Sequence, residues 1–479
     1  MNSNDSGSMA ALLQHQQQVH KLQMLVTAAQ RRERIQQVIN LLVEHHQAFA
    51  EAIEADFNGR SQGFSIMNDV LGSLASLKYT RDNLEPWLKS ENREVFAPYD
   101  QLGSTARVEY QPKGSVGIIG TWNAPLYTLF APLACVLGAG NRAILKPSEV
   151  TPKTAALVAQ LFAKHIDPLL VSVVTGGADT GAKFSELPFD HLVFTGSTQV
   201  GKKIMAAAAK NLVPVTLELG GKSPVVLSQD CDLSESCKRL ALAKSNNGGQ
   251  VCVSPDIVYV PRNKLDQVAA LLLENFRHFY PKITHNPDFV PSVNRQHCQR
   301  VVDLIEQARH AGCQVLSSHE VANLAELVTS DKRLPLQLVI SPDKELDIMQ
   351  QEIFGAALVL LPYDDIDGVI SDINSRAKPL ALYYFGENDA ELSKLLANTS
   401  SGGVAVNDCL MHAAMHDAPF GGVGASGMGH YHGREGFLAF SHQRTVFVAP
   451  KHDPRGEWGL LPPHHDQFKA MMVAQVTSD

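Results

Sequence analysis

Between residues 107 and 215 the chain alternates short apolar runs with longer amphipathic ones, and this alternation restricts the fold more than any other feature. SVGIIG (115–120), RAILK (142–146), LLVSVVTG and HLVFTG each sit between turn residues and read as buried strands. PLYTLFAPLACVLGAG, with Pro125 near its start, reads as a helix. Thr151 followed by Pro152 offers an N-cap and a proline at the first helical position for TAALVAQLFAKH. GSTQVGKKIMAAAAK opens a further helix, and VPVTLELGG ends in a glycine pair. Strand, helix, strand with short loops predicts a doubly wound parallel sheet. The fold class expected is α/β: a Rossmann-like parallel-sheet nucleotide-binding domain followed by a second α/β domain.

The expected divisions are 1–215, with helices before a sheet starting near 107, then 216–402, then a return segment and tail at 403–479. PVVLS, DIVYV, LQLVI and AALVLLP are the strand candidates of the second domain. Ahead of the first sheet, apolar residues recur from Ile35 to Ile53 until Asn58-Gly59 stops the pattern. A second helix is expected from Leu71 to Leu84, ended by Glu85-Pro86. The Gln/His-rich start is the one biased segment that stands out.

With 41 basic and 49 acidic residues among 479, the net charge of −8 offers no footprint for nucleic acid. Seven cysteines without a CxxC pair argue against a zinc ribbon or a disulfide scaffold and for a reducing compartment. The start lacks the basic flank and apolar run of a signal peptide. The most apolar stretch, 124–140, is broken by Pro125 and Pro132, so no membrane span is expected. The expectation is a soluble cytoplasmic protein.

Some residues stand out as chemistry. Cys252 lies in SNNGGQVCV, where small and amide residues admit a ligand; the other cysteines lack such a setting. Glu218 in LELGGKSP sits at a strand end between leucines, where desolvation would make it a better general base, or where it could cap a loop. Asn123 in TWNAP follows a strand and could donate its amide to an oxyanion, or serve a turn. GSTQVG (196–201) joins a strand to a helix and could meet a phosphate, although Thr198 replaces the middle glycine of the dinucleotide fingerprint. Lys146 and Glu149 lie where ribose hydroxyls could be reached. His412 and His416, four apart, have metal-ligand spacing, but their Pro- and Gly-rich surroundings favour pocket-wall histidines and no metal.

In order, TWNAP, LKPSE-TP, FTGSTQVGK, LELGGKSP, GGQVC, QEIFG and PFGGVGASGMG resemble the aldehyde dehydrogenase superfamily, from about Arg34 to His442. VND with His412 and His416, then SGMGHYHGREGFLAFSH, resembles its class 3 branch, and within it the bacterial coniferyl aldehyde dehydrogenases. The resemblance implies that Cys252 is the nucleophile, that Asn123 and the Cys252 N–H form the oxyanion hole, and that Glu218 is the general base, with Glu352 open as its assistant or as the main base for deacylation. It implies NAD, with NADP also accepted, held by Trp122, Lys146, Glu149, Gly196, Ser197, Gly201, Leu219, Glu352 and Phe354. The family often has proline after EIFG, where Ala356 follows here.

The reaction implied is oxidation of an aldehyde to the acid through a thiohemiacetal and a thioester on Cys252. An aromatic or medium-chain substrate is expected, coniferyl aldehyde among the candidates, because Trp122, Tyr127, His412 and Phe420 lie near motif residues. A homodimer is implied by the relatives. Two rivals stay open: a CoA-acylating dehydrogenase, and a catalytically silent dehydrogenase fold that binds a partner.

Overall fold

The computed structural model describes residues 6–321, 323–464 and 466–477. In chain order the strands are β1 (Glu91–Arg93), β2 (Thr105–Pro112), β3 (Ser115–Ile119), β4 (Arg142–Lys146), β5 (Val171–Val173), β6 (His191–Thr195) and β7 (Val215–Glu218). Then come β8 (Pro224–Leu227), β9 (Ile257–Pro261), β10 (Gln314–Ser317), β11 (Gln337–Ile340), β12 (Ala357–Tyr363), β13 (Ala381–Phe385) and β14 (Gly403–Val406). The last are β15 (Gly427–Met428) and β16 (Ser441–Val448).

A large unit comprises the chain up to Trp87 and Pro112–Ser441, and it holds two sheets. The first has the order β15-β7-β6-β3-β4-β5, parallel except for β15. The chain leaves β3 to one side for β4 and β5, then returns to its other side for β6 and β7. That reversal is the topological switch of doubly wound folds, where ligands bind beyond the strands' carboxyl ends. All five residues of β3 are buried, as are eleven of the twelve in the helix Tyr127–Gly138, because each packs on both sides. The second sheet runs β10-β11-β12-β9-β8-β13-β14, parallel except for β10.

The expected division at 215 falls inside β7, whose residues pair with β6 as far as Glu218. The expected division at 402 falls directly before β14, which extends the second sheet beside β13. The segment from 403 is split further: β15 returns to the first sheet, and the chain from His442 joins Leu88–Gln111 in a small second unit. That unit carries the sheet β1-β2-β16, with Phe96 stacked on Phe447 at 6.2 Å.

At three places the local structure goes beyond or against what the sequence leads one to expect. The Gln/His-rich start forms the helix Ser6–Leu22, which sends Met9 and Leu13 into the core of the first sheet. Its buried Gln16 donates to the Ala143 carbonyl of β4 at 3.0 Å. The helix Gly72–Leu88 runs past Pro86, since proline in a last turn costs one hydrogen bond while Trp87 is buried against Phe437. The helix Ala28–Phe57 begins with a Thr27–Gln30 capping box and ends at Asn58 in the left-handed region, φ 57°. Thr151 does not cap the helix Pro152–His165 with its side chain; Asp56 does so from afar, accepting from the Lys153 and Thr154 N–H groups at 2.9 and 2.8 Å. No helix among the described residues is long and apolar enough to cross a membrane.

Candidate active site

The carboxyl ends of four neighbouring strands in the first sheet carry most of the residues singled out from the sequence. β3 leads to Trp122 and Asn123, β4 ends at Lys146 with Glu149 just beyond, β6 leads to Gly196 and Ser197, and β7 ends at Glu218. Residues 219–223 then cross to β8 and the second sheet, which supplies Cys252 before β9 and Glu352 with Phe354 before β12.

Cys252 is half-buried in a turn set up by Asn247, Gly248 and Gly249, all with positive φ. Gly249 has no room for a side chain: a Cβ there would lie 2.4 Å from the Gly355 carbonyl oxygen. The glycines of GGQVC thus bring the cysteine loop against the QEIFG loop. Asn123 is buried and donates its amide to the Gln250 carbonyl at 3.0 Å, two residues before the cysteine. Its second amide hydrogen has no partner among the described residues. Burial pushes the Cys252 thiol up to about 12, reinforced by Glu352 and then Glu218, while the N–H groups of Cys252 and Val253 oppose the rise.

Glu218 is buried, and neither carboxyl oxygen has a hydrogen-bond partner. Its backbone is pinned between β6 and β15, opposite Thr195 and Gly427. Desolvation alone drives its pKa well above the usual carboxylate range. Glu352 is raised to about 8, first by burial and then by Asp256, with the Gly221 N–H and the cations Lys222 and Arg300 acting against the rise. Its carboxyl group lies on Gly220, where an added Cβ would be 2.1 Å from Oε2.

The loop bearing Glu352 is held by residues that no motif pointed to, with one exception. Arg300 donates to the Glu352 carbonyl at 3.1 Å, Lys222 donates to the Gln351 carbonyl at 2.9 Å, and Asp256 accepts from the Ile353 N–H at 2.9 Å. Phe354 sits at φ 50°, a strained value for a bulky residue, and its ring meets Trp122 edge-on at 5.3 Å. His297, likewise unassigned from the sequence, packs against Trp122 at 4.6 Å. Only Lys222 lies inside a motif, LELGGKSP; Asp256 follows Cys252 by four residues, and Arg300 and His297 are far from any motif.

On the dinucleotide side, Lys146 is buried and donates to the half-exposed Glu149 carboxylate at 2.6 Å. Ser197 caps the helix Thr198–Ala209. A Cβ on Gly201 would lie 2.7 Å from the Leu219 side chain, so this glycine lets the helix pack on the strand and Leu219 fills the gap. The Leu219 N–H is occupied by the Ser426 carbonyl at 3.0 Å.

Three tyrosines lie within electrostatic reach of the cysteine. Burial raises the Tyr127, Tyr383 and Tyr431 phenols, and each also feels the charge a Cys252 thiolate would carry. Tyr383 donates to the Val253 carbonyl at 2.6 Å and meets His412 at 5.8 Å between ring centres. Tyr127 shares a 2.9 Å hydrogen bond with His432, whose ring stacks on Phe420. His416 turns instead to Ser76 at 3.3 Å. Among the described residues no group of three or more His, Cys, Asp or Glu side chains could hold a metal.

The aldehyde dehydrogenase family model matches residues 6–446. A coniferyl aldehyde dehydrogenase of Pseudomonas sp. is 42% identical over 90% of this chain and 88% of its own. A dimeric, NADP-preferring aldehyde dehydrogenase of Canis lupus familiaris is 35% identical over 87% of this chain and 89% of its own. Among solved structures, Staphylococcus aureus AldH in a substrate-bound state superposes with a TM-score of 0.89 at 31% identity, covering 97% of this chain and 99% of that one. A Mycobacterium tuberculosis aldehyde dehydrogenase complexed with NAD+ gives 0.82 at 26% identity, covering 94% and 91%. With a doubly wound sheet and a cysteine–carboxylate cleft at its carboxyl edge, the chain belongs to the aldehyde dehydrogenase family, an oxidoreductase whose cofactor is NAD.

Proposed function

We propose that the protein oxidises an aromatic aldehyde, of the coniferyl aldehyde type, to its carboxylic acid through a thioester on Cys252. The observation that carries this reading is Glu218: a buried carboxyl group with neither oxygen partnered, close enough to Cys252 to influence its thiol. Such a group has no structural bond to make and is matched to taking a proton from water. The residues present fit the cofactor. Lys146 and Glu149 would hold the adenosine ribose, the first turn of the helix at Gly196, Ser197 and Gly201 the pyrophosphate, and Glu352 and Phe354 beside Trp122 the nicotinamide end. Bound NAD supplies the hydride acceptor.

The protein's own part is to form and then release the acyl group. Cys252 gives up its thiol proton to solvent as it attacks the carbonyl carbon, and the oxygen that gains charge is met by the free Asn123 N–H and the Cys252 backbone N–H. One such donor is worth roughly 2.7–4 kcal/mol of barrier. After oxidation Glu218 takes a proton from the water that attacks the thioester; the acid leaves and Cys252 regains its proton. Tyr127, Tyr383, Tyr431, Phe420 and His432 supply an aromatic wall that suits a planar ring. The carboxylate of Glu149 favours a free 2′-hydroxyl, and so NAD over NADP.

The test is Glu218→Gln in pre-steady-state kinetics with excess aldehyde: NADH should form in a normal burst while later turnovers slow at least about a hundredfold. Normal turnover would remove the base assignment. Acceleration by coenzyme A would favour the CoA-acylating rival, and a panel of aromatic and aliphatic aldehydes ranked by kcat/KM tests the substrate class. The small unit, with Phe96 and Phe447 exposed on it, is proposed as the dimerisation element.

A further inference from the structure

We propose that the buried Arg60–Asp69 ion pair is the positioning device of the oxyanion hole, fixing the peptide that carries Asn123 and thereby aiming its amide. The proposal rests on the reading of Asn123 as an oxyanion donor. Arg60 and Asp69 are both fully buried and ion-paired through Arg60 Nη2. Desolvating two charges is costly, and an apolar pair of similar volume would serve stability as well. What the pair does locally is grip both ends of one turn. Arg60 Nη1 donates to the Asn123 carbonyl at 2.9 Å, and Asp69 Oδ1 accepts from the Leu126 N–H at 3.1 Å.

The grip is rigid from both directions. The guanidinium lies over the rings of Phe57 and Phe64, 5.1 and 4.9 Å from their centres, which sets its plane. Asp69 sits in a single π-helical turn, Ile66–Leu71, and Asn68 donates to its Oδ2 at 3.2 Å. From the cysteine loop, Asn247 donates to the same Asn123 carbonyl at 3.0 Å. The Asn123 amide donates to Gln250 in that loop, so its remaining hydrogen has little freedom. Arginine is required here because one planar fork serves a carboxylate and a carbonyl in fixed directions, which a lysine ammonium on a flexible stem does not. Neither residue touches the reacting atoms; they act through Asn123.

The experiment is a mutant cycle on the NADH burst. Arg60→Met with Asp69→Asn removes both charges, while the amide oxygen introduced by the second substitution can still accept from the Leu126 N–H. This variant should lose about thirtyfold in burst rate, and Asn123→Ala about a hundredfold or more. Combined, the three substitutions should fall within threefold of Asn123→Ala alone, because the pair acts only through that amide. NAD affinity should stay within twofold throughout. Additive losses, an unchanged burst in the paired variant, or an equal loss of NAD affinity would overturn the proposal. A normal burst in Asn123→Ala would instead overturn the oxyanion reading itself. Should the paired variant fail to fold, Arg60→Lys, which keeps the charge opposite Asp69, carries the same cycle: at least a tenfold loss that vanishes in the Asn123→Ala background is expected, and an undiminished loss there refutes it.

Discussion

Substituting Gly220 by alanine tests the working position of Glu352 with a single methyl group. The Gly220 φ lies outside the left-handed range, so alanine meets no backbone penalty there. Its Cβ, however, would stand 2.1 Å from Glu352 Oε2 and 2.6 Å from both Oε1 and Cδ. Ordinary contact begins near 3.4 Å, so the carboxyl group has to retreat by about 1 Å. The obstacle is the far end of a flexible side chain, so the clash resolves by rotating Glu352 and the fold survives. A misplacement of about 1 Å costs roughly a hundredfold in a positioned reaction, or about 2.7 kcal/mol of barrier. Steady-state kcat/KM for aldehyde should drop by that factor, with KM for NAD raised and the thermal midpoint within a few degrees of wild type. The Gly220→Ala and Glu352→Gln effects should combine less than additively, since one acts through the other. A Gly220→Ala enzyme within threefold of wild type would refute the reasoning: Glu352 would not work from the place where it now lies.

Glu352 also makes a pH prediction. Its folded pKa of about 8 lies above the ordinary carboxylate value, so the folded protein keeps this proton where the unfolded chain has lost it. Between those values the unfolded state binds fewer protons, and stability falls as pH rises toward about 8; Glu352→Gln should flatten that slope in thermal melts. If ionised Glu352 assists turnover, kcat should rise through an apparent pKa near 8 that disappears in the same variant, and an unchanged profile counts against it. Cys252→Ala should abolish oxidation while leaving NAD affinity within twofold, measured by calorimetry; surviving turnover would displace the nucleophile to another residue. Asp56→Ala should lower the thermal midpoint by removing the long-range cap of Pro152–His165, a loss of about 1 kcal/mol, and an unchanged midpoint would show that solvent satisfies those N–H groups equally well.

The parts of the site legible in sequence are those that one short segment can express. Strand ends followed by turn residues point to Asn123, Lys146, Gly196 and Glu218, because a parallel strand presents its next residue at the carboxyl edge. Buried apolar runs mark β8, β9, β11 and β12 for the same reason. The illegible parts depend on contacts between distant segments. Arg60 reaches Asn123 across 63 positions, Asp56 caps a helix about a hundred residues away, and Gln16 bonds to β4 across 127. No periodicity encodes such pairs. Pro86 misleads for a related reason: local preference ends a helix there, but the burial of Trp87 against Phe437 holds its last turn.

The groups in the cleft constrain how the chemistry starts. The Cys252 thiol, Glu218 and Glu352 are each pushed toward their uncharged form, and burial is the first cause for all three. Each charge that forms raises the cost of the next, so burial works against a Cys252 thiolate and against a second charge beside it. This differs from a cysteine paired with a protonated histidine, where the thiolate is the resting state. If Cys252 is the nucleophile, its attack on the aldehyde coincides with loss of the thiol proton to solvent, and the new negative charge has to be met where it arises. That places the demand on donors set in advance, the Asn123 amide and the Cys252 N–H, rather than on a standing counter-charge. A fully buried ion pair spent on holding the Asn123 peptide is consistent with that demand, since a donor free to swing would meet the new charge only part of the time.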